Sequence, residues 1–252
     1  MTAELAFSIV ILTAAAFVHG LTGVGFGMTA MSLFSVTPGA YGESAGIVGV
    51  AALFVYVLLF SVTSRKTSIR WYEVVSVSAG GAAGVAAGYG FLLIVQNPSV
   101  LKVVIGAAIT ALSLLSLFQH RIDISIRKTC WSAVMAGFFG GFVFAVFIAG
   151  GVLIALYLYT DTEKPAEMKL TLQVILIVLG LLRIIVFRAG HSDFTPGVSG
   201  ILIFSLLPIT GALLTGHYFS TKVRQAAFRK ALFIFLSAAG TGIAVLGGTG
   251  LI

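Results

Sequence analysis

Uncharged stretches of membrane-spanning length recur along the whole chain, and they limit the folds that are open to it. A helix of about 20 mostly apolar residues crosses a bilayer. Runs near that length occupy residues 45–60, 74–95, 103–118, 170–187, 198–219 and 231–252, and two longer runs, 5–34 and 131–159, are interrupted by glycine. Backbone groups in lipid must be satisfied within their own segment, which favours helices.

The composition points the same way. Hydrophobic residues make up 59% of the chain and charged residues 9%, whereas about a quarter of a soluble domain is charged. The first basic residue is Arg65, so the first apolar run lacks the positive start of a cleaved signal peptide and is expected to be retained. The chain is predicted to be an all-α polytopic membrane protein.

Several function classes lack their usual sequence features. The net charge of +7 fits the excess of Lys and Arg on the cytoplasmic side of membrane proteins, so no nucleic-acid partner is expected. The single cysteine, Cys130, excludes an intramolecular disulfide and a cysteine-based metal cluster. The sequence also contains no Walker, HExxH or GxSxG motif. We therefore expect no enzyme activity, no cofactor and no metal.

The two halves of the chain share sparse but ordered similarities. Gly88, Phe91 and Lys102 pair with Gly216, Phe219 and Lys230, and GLTG at 20–23 pairs with GFFG at 137–140. The polar stretch 159–169 absorbs the difference in spacing between these matches. Weak internal symmetry is typical of transporters, so we predict two related repeats, 1–126 and 127–252, within one transport domain.

The basic residues predict how these repeats are oriented. If all eight apolar runs crossed once, the charges would divide almost evenly and give no orientation. If the two glycine-interrupted runs are instead helical hairpins, twelve basic residues share the cytoplasmic face and three, Lys102, Arg183 and Arg188, lie outside. The repeats are then inverted, each has a hairpin followed by three transmembrane helices, and both termini lie outside.

The glycines of the hairpins predict a binding site. Glycine permits sharp bends, and irregular backbone at membrane depth occurs where it is buried in protein or lines a cavity. A helix that resumes after such a break points its amides into the cavity, which suits an anion. The candidate tip residues are Gly23, Gly25, Gly27, Gly140, Gly141, Gly150 and Gly151. By contrast, GGAAGVAAG at 80–88 has the small-residue spacing of helix packing.

Four polar residues complete the candidate site, each with a structural alternative. His19 and Thr22 flank the first bend and are candidate donors to an oxyanion, although His19 equally suits a hydrogen bond between helices. Gln173 suits such a bond slightly better than a substrate contact. Arg183 attracts an anion or extends its charge to the lipid headgroups, with the second favoured. Glu43 and Glu167 are predicted to be capping or interfacial residues rather than proton carriers.

The stretches GLTGVGFGMTAMSLFSVTP and AGFFGGFVFAVFIAGG resemble the TauE/SafE sulfite exporter family. This resemblance spans nearly the whole chain, and it implies a permease of the plasma (inner) membrane that moves sulfite, organosulfonates or other small anions. Val24 and Phe26 interrupt the tighter glycine run of that family.

The function expected from these features is secondary export of a small sulfur-containing anion by alternating access of two inverted halves. A carrier or channel for another small anion is the alternative, and an intramembrane enzyme is disfavoured. The expected partners are the anion and the lipid bilayer, and a homodimer is compatible with so compact a carrier.

Overall fold

A computed structural model describes residues 2–35, 41–63, 67–95, 97–118, 128–159, 165–189, 196–220 and 225–249. Within these ranges the chain forms ten helices and no strand. The helices are α1 (Thr2–Thr22), α2 (Phe26–Phe34), α3 (Tyr41–Thr63), α4 (Trp71–Ile94), α5 (Pro98–Phe118), α6 (Cys130–Phe147), α7 (Gly151–Leu158), α8 (Pro165–Ala189), α9 (Pro196–Phe219) and α10 (Gln225–Thr249).

Seven helices in the described residues are long and apolar enough to cross a membrane, namely α1, α3, α4, α5, α6, α8 and α9. The apolar part of α10, Leu232–Val245, is shorter, and α2 and α7 have 9 and 8 residues. The predicted class, an all-α polytopic membrane protein, is confirmed. The inversion of its two halves stays a prediction.

Two breaks interrupt the helices where the longer apolar runs contain glycine. Tip 1 (residues 23–25) joins α1 to α2, and Gly23 and Gly25 in it have left-handed φ angles of 77° and 94°. Tip 2 (residues 148–150) joins α6 to α7, and there the left-handed residue is Ile148, with φ 56°. A β-branched residue in this region is strained, so tip 2 is held by its surroundings.

The second break does not lie where the pairing of GLTG with GFFG puts it. Residues 137–140 lie inside α6, well before its end at Phe147. After the breaks, helix resumes at Phe26 in one half and at Gly151 in the other. Gly27 therefore lies within α2, and Gly140 and Gly141 lie within α6 rather than at the tip.

Glycine lets α4 and α6 approach at backbone distance. A Cβ atom on Gly80 would overlap the carbonyl oxygen of Val134, and one on Gly84 would overlap that of Phe138. Residue numbers rise together along both helices, so α4 and α6 run parallel. The small residues of 80–88 pack helices, as their spacing predicts, because contact in lipid depends on close van der Waals approach.

The most extensive helix contacts are α4 with α6, α5 with α10, and α1 with α9. Gly106 packs on the backbone of Ala244, and Gly247 lies close to Val103, so α5 and α10 run antiparallel. Gly20 packs on Leu213 and Gly216 on Phe17, which brings α1 equally close to α9. Each contact joins a helix of residues 1–126 to one of residues 127–252.

The interior of this arrangement is built around α8. This helix packs on α3 and α4 and also contacts α6 and α7. Lys169, Gln173, Leu176, Gly180 and Arg183 recur along it every three or four residues, so they share one face. The candidate site lies along this face.

Candidate functional site

A buried hydrogen-bonded group joins the end of α1, tip 1 and α8. His19 and Gln173 have no exposed surface. The Nε2 atom of His19 lies 3.4 Å from Oε1 of Gln173, and Nε2 of Gln173 donates to the carbonyl oxygen of Gly23 at 3.0 Å. Gln173 thus makes the interhelical bonds favoured for it, and the structure places His19, Gly23 and Gln173 together.

The acceptors in this group determine which nitrogen of His19 is protonated. Because Oε1 of Gln173 only accepts, Nε2 of His19 carries the proton in their bond. Its Nδ1 atom is buried and has no hydrogen-bond partner within the described part of the chain. In a neutral ring Nδ1 offers a lone pair, so a neutral His19 does not donate to an anion from that side. Donors must come from neighbouring groups.

Lys169 is the neighbouring donor, and the sequence reasoning missed it. Its Cε atom lies 2.9 Å from the position that a Cβ on Gly23 would take, and the side chain is half-buried. Within the described ranges, no carboxylate and no hydrogen-bond acceptor lies within bonding distance of its ammonium. The division of basic residues counts Lys169 among the twelve on the cytoplasmic face. Its signal was the four-residue spacing to Gln173, which places both on one helix face.

The hydroxyl group of Thr22 is engaged by the backbone of tip 1. Its Oγ1 atom lies 2.9 Å from the carbonyl oxygen of Val18 and 2.5 Å from that of Val24. The amide of Val24 also lies 3.3 Å from it. We therefore attribute to Thr22 a role in shaping the bend.

Within the described part of the chain, tip 1 faces open space at Gly25. A Cβ atom on this residue would meet nothing within 4 Å, and Gly25 precedes α2 without a side-chain cap. The first amides of a helix have no partner inside it, so the start of α2 directs donors and the positive end of the helix dipole toward tip 1.

Tip 2 directly contacts the first turn of α2, the helix that follows tip 1. A Cβ atom on Gly27, the second residue of α2, would overlap the carbonyl group of Ile148 in tip 2. The backbones of the two broken segments thus touch inside the bundle, next to α8. Only a glycine at position 27 permits this approach.

The four candidate glycines of the second half lie against neighbouring atoms. A Cβ on Gly150 would overlap the carbonyl oxygen of Gly140, one on Gly140 would lie 2.5 Å from Ile154, and one on Gly141 would overlap the backbone of Gly81. Gly151 lies at the start of α7, where a Cβ would approach Leu176 to 3.1 Å. Tip 2 is therefore closed by neighbouring atoms at the positions where tip 1 is open.

Arg183 lies inside the bundle, where 3% of it is exposed. Its Nε atom donates to the carbonyl oxygen of Ala145 at 3.1 Å, and its guanidinium lies 4.3 Å from the ring centre of Phe187. The favoured expectation that it reaches the lipid headgroups is wrong. Ten residues of helix separate it from Gln173, about 15 Å along the axis, so Arg183 and Lys169 mark opposite ends of the polar face.

Tyr56 of α3 was also missed by sequence reasoning. It is 3% exposed, and its ring centre lies 5.2 Å from that of His19 and 6.3 Å from that of Phe144. An isolated tyrosine in an apolar run gives no signal, because only the tertiary fold brings α3 beside tip 1.

Glu167 forms the expected interfacial contacts. It accepts a hydrogen bond from Ser68 at 2.7 Å and lies 3.7 Å from Nε of Arg70. The side chain of Glu43 lies outside the described residues. No group of His, Cys, Asp and Glu with metal-binding geometry occurs among the residues that the structure describes.

The chain matches known proteins at the level of a family. No curated protein and no solved structure matches the chain. The family model described as "Sulfite exporter TauE/SafE" matches residues 8–243, a range that includes both tips, Lys169, Gln173 and Arg183. The chain therefore belongs to the TauE/SafE sulfite exporter family.

Proposed function

We propose that the protein is a secondary transporter that exports sulfite or a small organosulfonate across the plasma membrane. Membership of an exporter family and seven candidate spans support membrane transport. The position of Lys169 is the observation that supports an anionic substrate. This cation lies beside tip 1 and has no acidic partner within bonding distance among the described residues.

The charge of Lys169 requires a partner because of its position. Cations within membrane-spanning segments are costly, and they face the interior and pair with opposite charge. An oxyanion beside tip 1 would receive a charge-assisted bond from the ammonium, which is about twice as strong as a neutral hydrogen bond. The first amides of α2 supply further donors on the same side. Sulfite and sulfonates present three oxygens to such converging donors.

The contact between Gly27 and Ile148 supports alternating access. A contact between two short broken segments can open while the long helices keep their packing. A small change at the site can in this way switch the protein between discrete conformations. The proposed movement is therefore that of the tips and of α2 and α7. Arg183, at the other end of the α8 face, is the proposed second contact of the anion on its path.

Transport into proteoliposomes tests this proposal. We expect saturable uptake of sulfite or a small sulfonate, and counterflow driven by unlabelled anion, which a channel does not show. A panel that includes sulfate and small carboxylates identifies the substrate class. Saturable counterflow of carboxylates alone would favour the alternative, a carrier for another organic anion.

Lys169→Gln tests whether the charge of Lys169 binds the anion. We expect binding to weaken at least about tenfold, the equivalent of about 1.4 kcal/mol, because a charge-assisted bond is lost. Lys230→Gln is the matched control, since Lys230 is exposed on α10. Equal affinity of the two variants, both monodisperse, would remove the basis for a site at tip 1.

The homodimer and the plasma-membrane location also remain proposals. The mass of the detergent-solubilised protein measures the first, and membrane fractionation of cells that express the protein measures the second.

A further inference from the structure

One carboxylate lies buried in a membrane-spanning helix and takes no part in the anion site. Glu73 is in the first turn of α4, within the span Trp71–Ile94, and 5% of it is exposed. Acidic residues in such segments are costly and commonly mark ion pathways or proton relays. The position therefore calls for a ligand or a role that offsets the cost.

The hydrogen-bond partner of Glu73 connects it to a tip. The hydroxyl group of Tyr157 donates to Oε2 of Glu73 at 3.1 Å. Tyr157 is 2% exposed and belongs to α7, the short helix that follows tip 2. One buried hydrogen bond thus joins α4 to α7, and tip 2, which precedes α7, contacts the first turn of α2.

The other ionisable groups near this bond are few. Lys128, before α6, lies 6.0 Å from the ring centre of Tyr157 and 3.4 Å from the carbonyl oxygen of Leu158. Tyr72 of α4 interacts with Cys130 at the start of α6, and Glu167 of α8 is next to Arg70. Among the described residues, no cationic nitrogen lies within ion-pairing distance of the Glu73 carboxylate.

We propose that Glu73 binds a proton whose uptake and release are coupled to anion transport, with Tyr157 as the positioning residue that transmits the change to α7. This inference rests on the transport function proposed above. Binding forms an O–H bond on the carboxylate and leaves Glu73 neutral, and release returns the charge.

The coupling follows from the strength of one bond. An ionised Glu73 accepts a charge-assisted bond from Tyr157, whereas a protonated one accepts an ordinary bond about half as strong. Protonation therefore changes the free energy that holds α7 against α4. Because α7 starts directly after tip 2, and tip 2 contacts the first turn of α2 next to tip 1, the proton and the anion bias the same conformational equilibrium.

The test uses a sulfonate, which stays ionised at every pH employed, in proteoliposomes whose membrane potential is clamped at zero with potassium and valinomycin. With the wild-type protein, we expect an imposed pH gradient to drive the sulfonate against its own gradient. The limit is about tenfold per pH unit for one proton per anion, since about 1.4 kcal/mol is a factor of ten.

Glu73→Gln separates coupling from transport. The amide keeps the size of the side chain and accepts the bond from Tyr157, but it does not ionise. We expect accumulation driven by the pH gradient to disappear, while exchange of internal for external sulfonate persists and no longer depends on pH. Glu167→Gln is the matched control, and it should accumulate the sulfonate as the wild type does.

Tyr157→Phe distinguishes a positioning role from simple packing. The ring is retained and one hydroxyl group is lost, so the pH midpoint of exchange should move, whereas loss of packing alone lowers stability and leaves the midpoint in place. An unchanged midpoint in Tyr157→Phe overturns the role given to this residue. Accumulation by Glu73→Gln at the wild-type level, or exchange without accumulation by the wild type, overturns the proton site. Absence of all anion transport by the wild type counts against the proposed function instead.

Discussion

At the scale of single residues, the polar face of α8 carries charge at both of its ends. Lys169 lies beside tip 1, and Arg183 is enclosed by Ala145, Phe187 and Gly49. The sequence indicated Gln173 and Arg183 because polar residues stand out within an apolar run. It did not single out Lys169 as a site residue, since a basic residue near the start of a helix is indistinguishable from a loop charge until tip 1 folds against it.

Because Arg183 is buried, its substitution should have a larger effect on transport than substitution of Arg188, which is exposed at the end of the same helix. Arg183→Gln should lower the transport rate by about tenfold or more, because bonds made by a charged group contribute about 1.5–3 kcal/mol. Arg188→Gln should change the rate by less than about twofold, as surface charges contribute at most about 1 kcal/mol.

Anion affinity and thermal stability, measured together, reveal which role Arg183 has. A residue that only packs would lower the melting temperature of Arg183→Gln and leave affinity unchanged. Similar transport by the Arg183 and Arg188 variants at matched expression would rule out a substrate role.

At the scale of elements, the sequence indicated the backbone conformation of tip 1. For tip 2 it indicated a break near Gly150 but not which residue takes the left-handed conformation. Gly23 and Gly25 have left-handed φ angles, the conformation that glycine adopts at least cost. In tip 2 this conformation belongs to Ile148, a residue type for which no sequence pattern predicts it. GFFG, paired with GLTG in the sequence, lies within α6 rather than at tip 2, because the glycines of α6 allow the close approach of α4.

The contact between α2 and tip 2 predicts the effect of one methyl group. Gly27→Ala places a Cβ against the carbonyl group of Ile148, so α2 and tip 2 must separate, at a cost of about 1–3 kcal/mol typical of overpacking. We expect a lower melting temperature and loss of transport. Gly90→Ala in α4 is the control, because a Cβ there meets nothing within 4 Å and alanine favours helix. Wild-type transport by Gly27→Ala would show that the contact is dispensable.

At the scale of the whole molecule, the helical class followed from apolar run length, because a helix satisfies the backbone hydrogen bonds of each run within that run. The partners of the helices did not follow from sequence. The three most extensive contacts, α4 with α6, α5 with α10 and α1 with α9, each connect the two halves. The halves are therefore interlocked, and rocking of one intact half against the other would separate these contacts.

The orientation of the molecule is tested by labelling. After Cys130 is replaced, single cysteines at Lys66 and Arg224 should both react only from the cytoplasmic face, because twelve basic residues share that side under the inverted arrangement. A cysteine at Lys102 should react from outside. Labelling of positions 66 and 224 from opposite faces would disprove the arrangement.

The interlocked contacts also set an order of events during synthesis. Chains are made from the N-terminus at about 5–20 residues per second, so α1 is inserted long before α9, its partner, exists. The glycine surface of α4 likewise faces lipid or other protein until α6 is made. The first half is thus inserted before the helices that pack against it, and its helix contacts are complete only after the last helices are inserted.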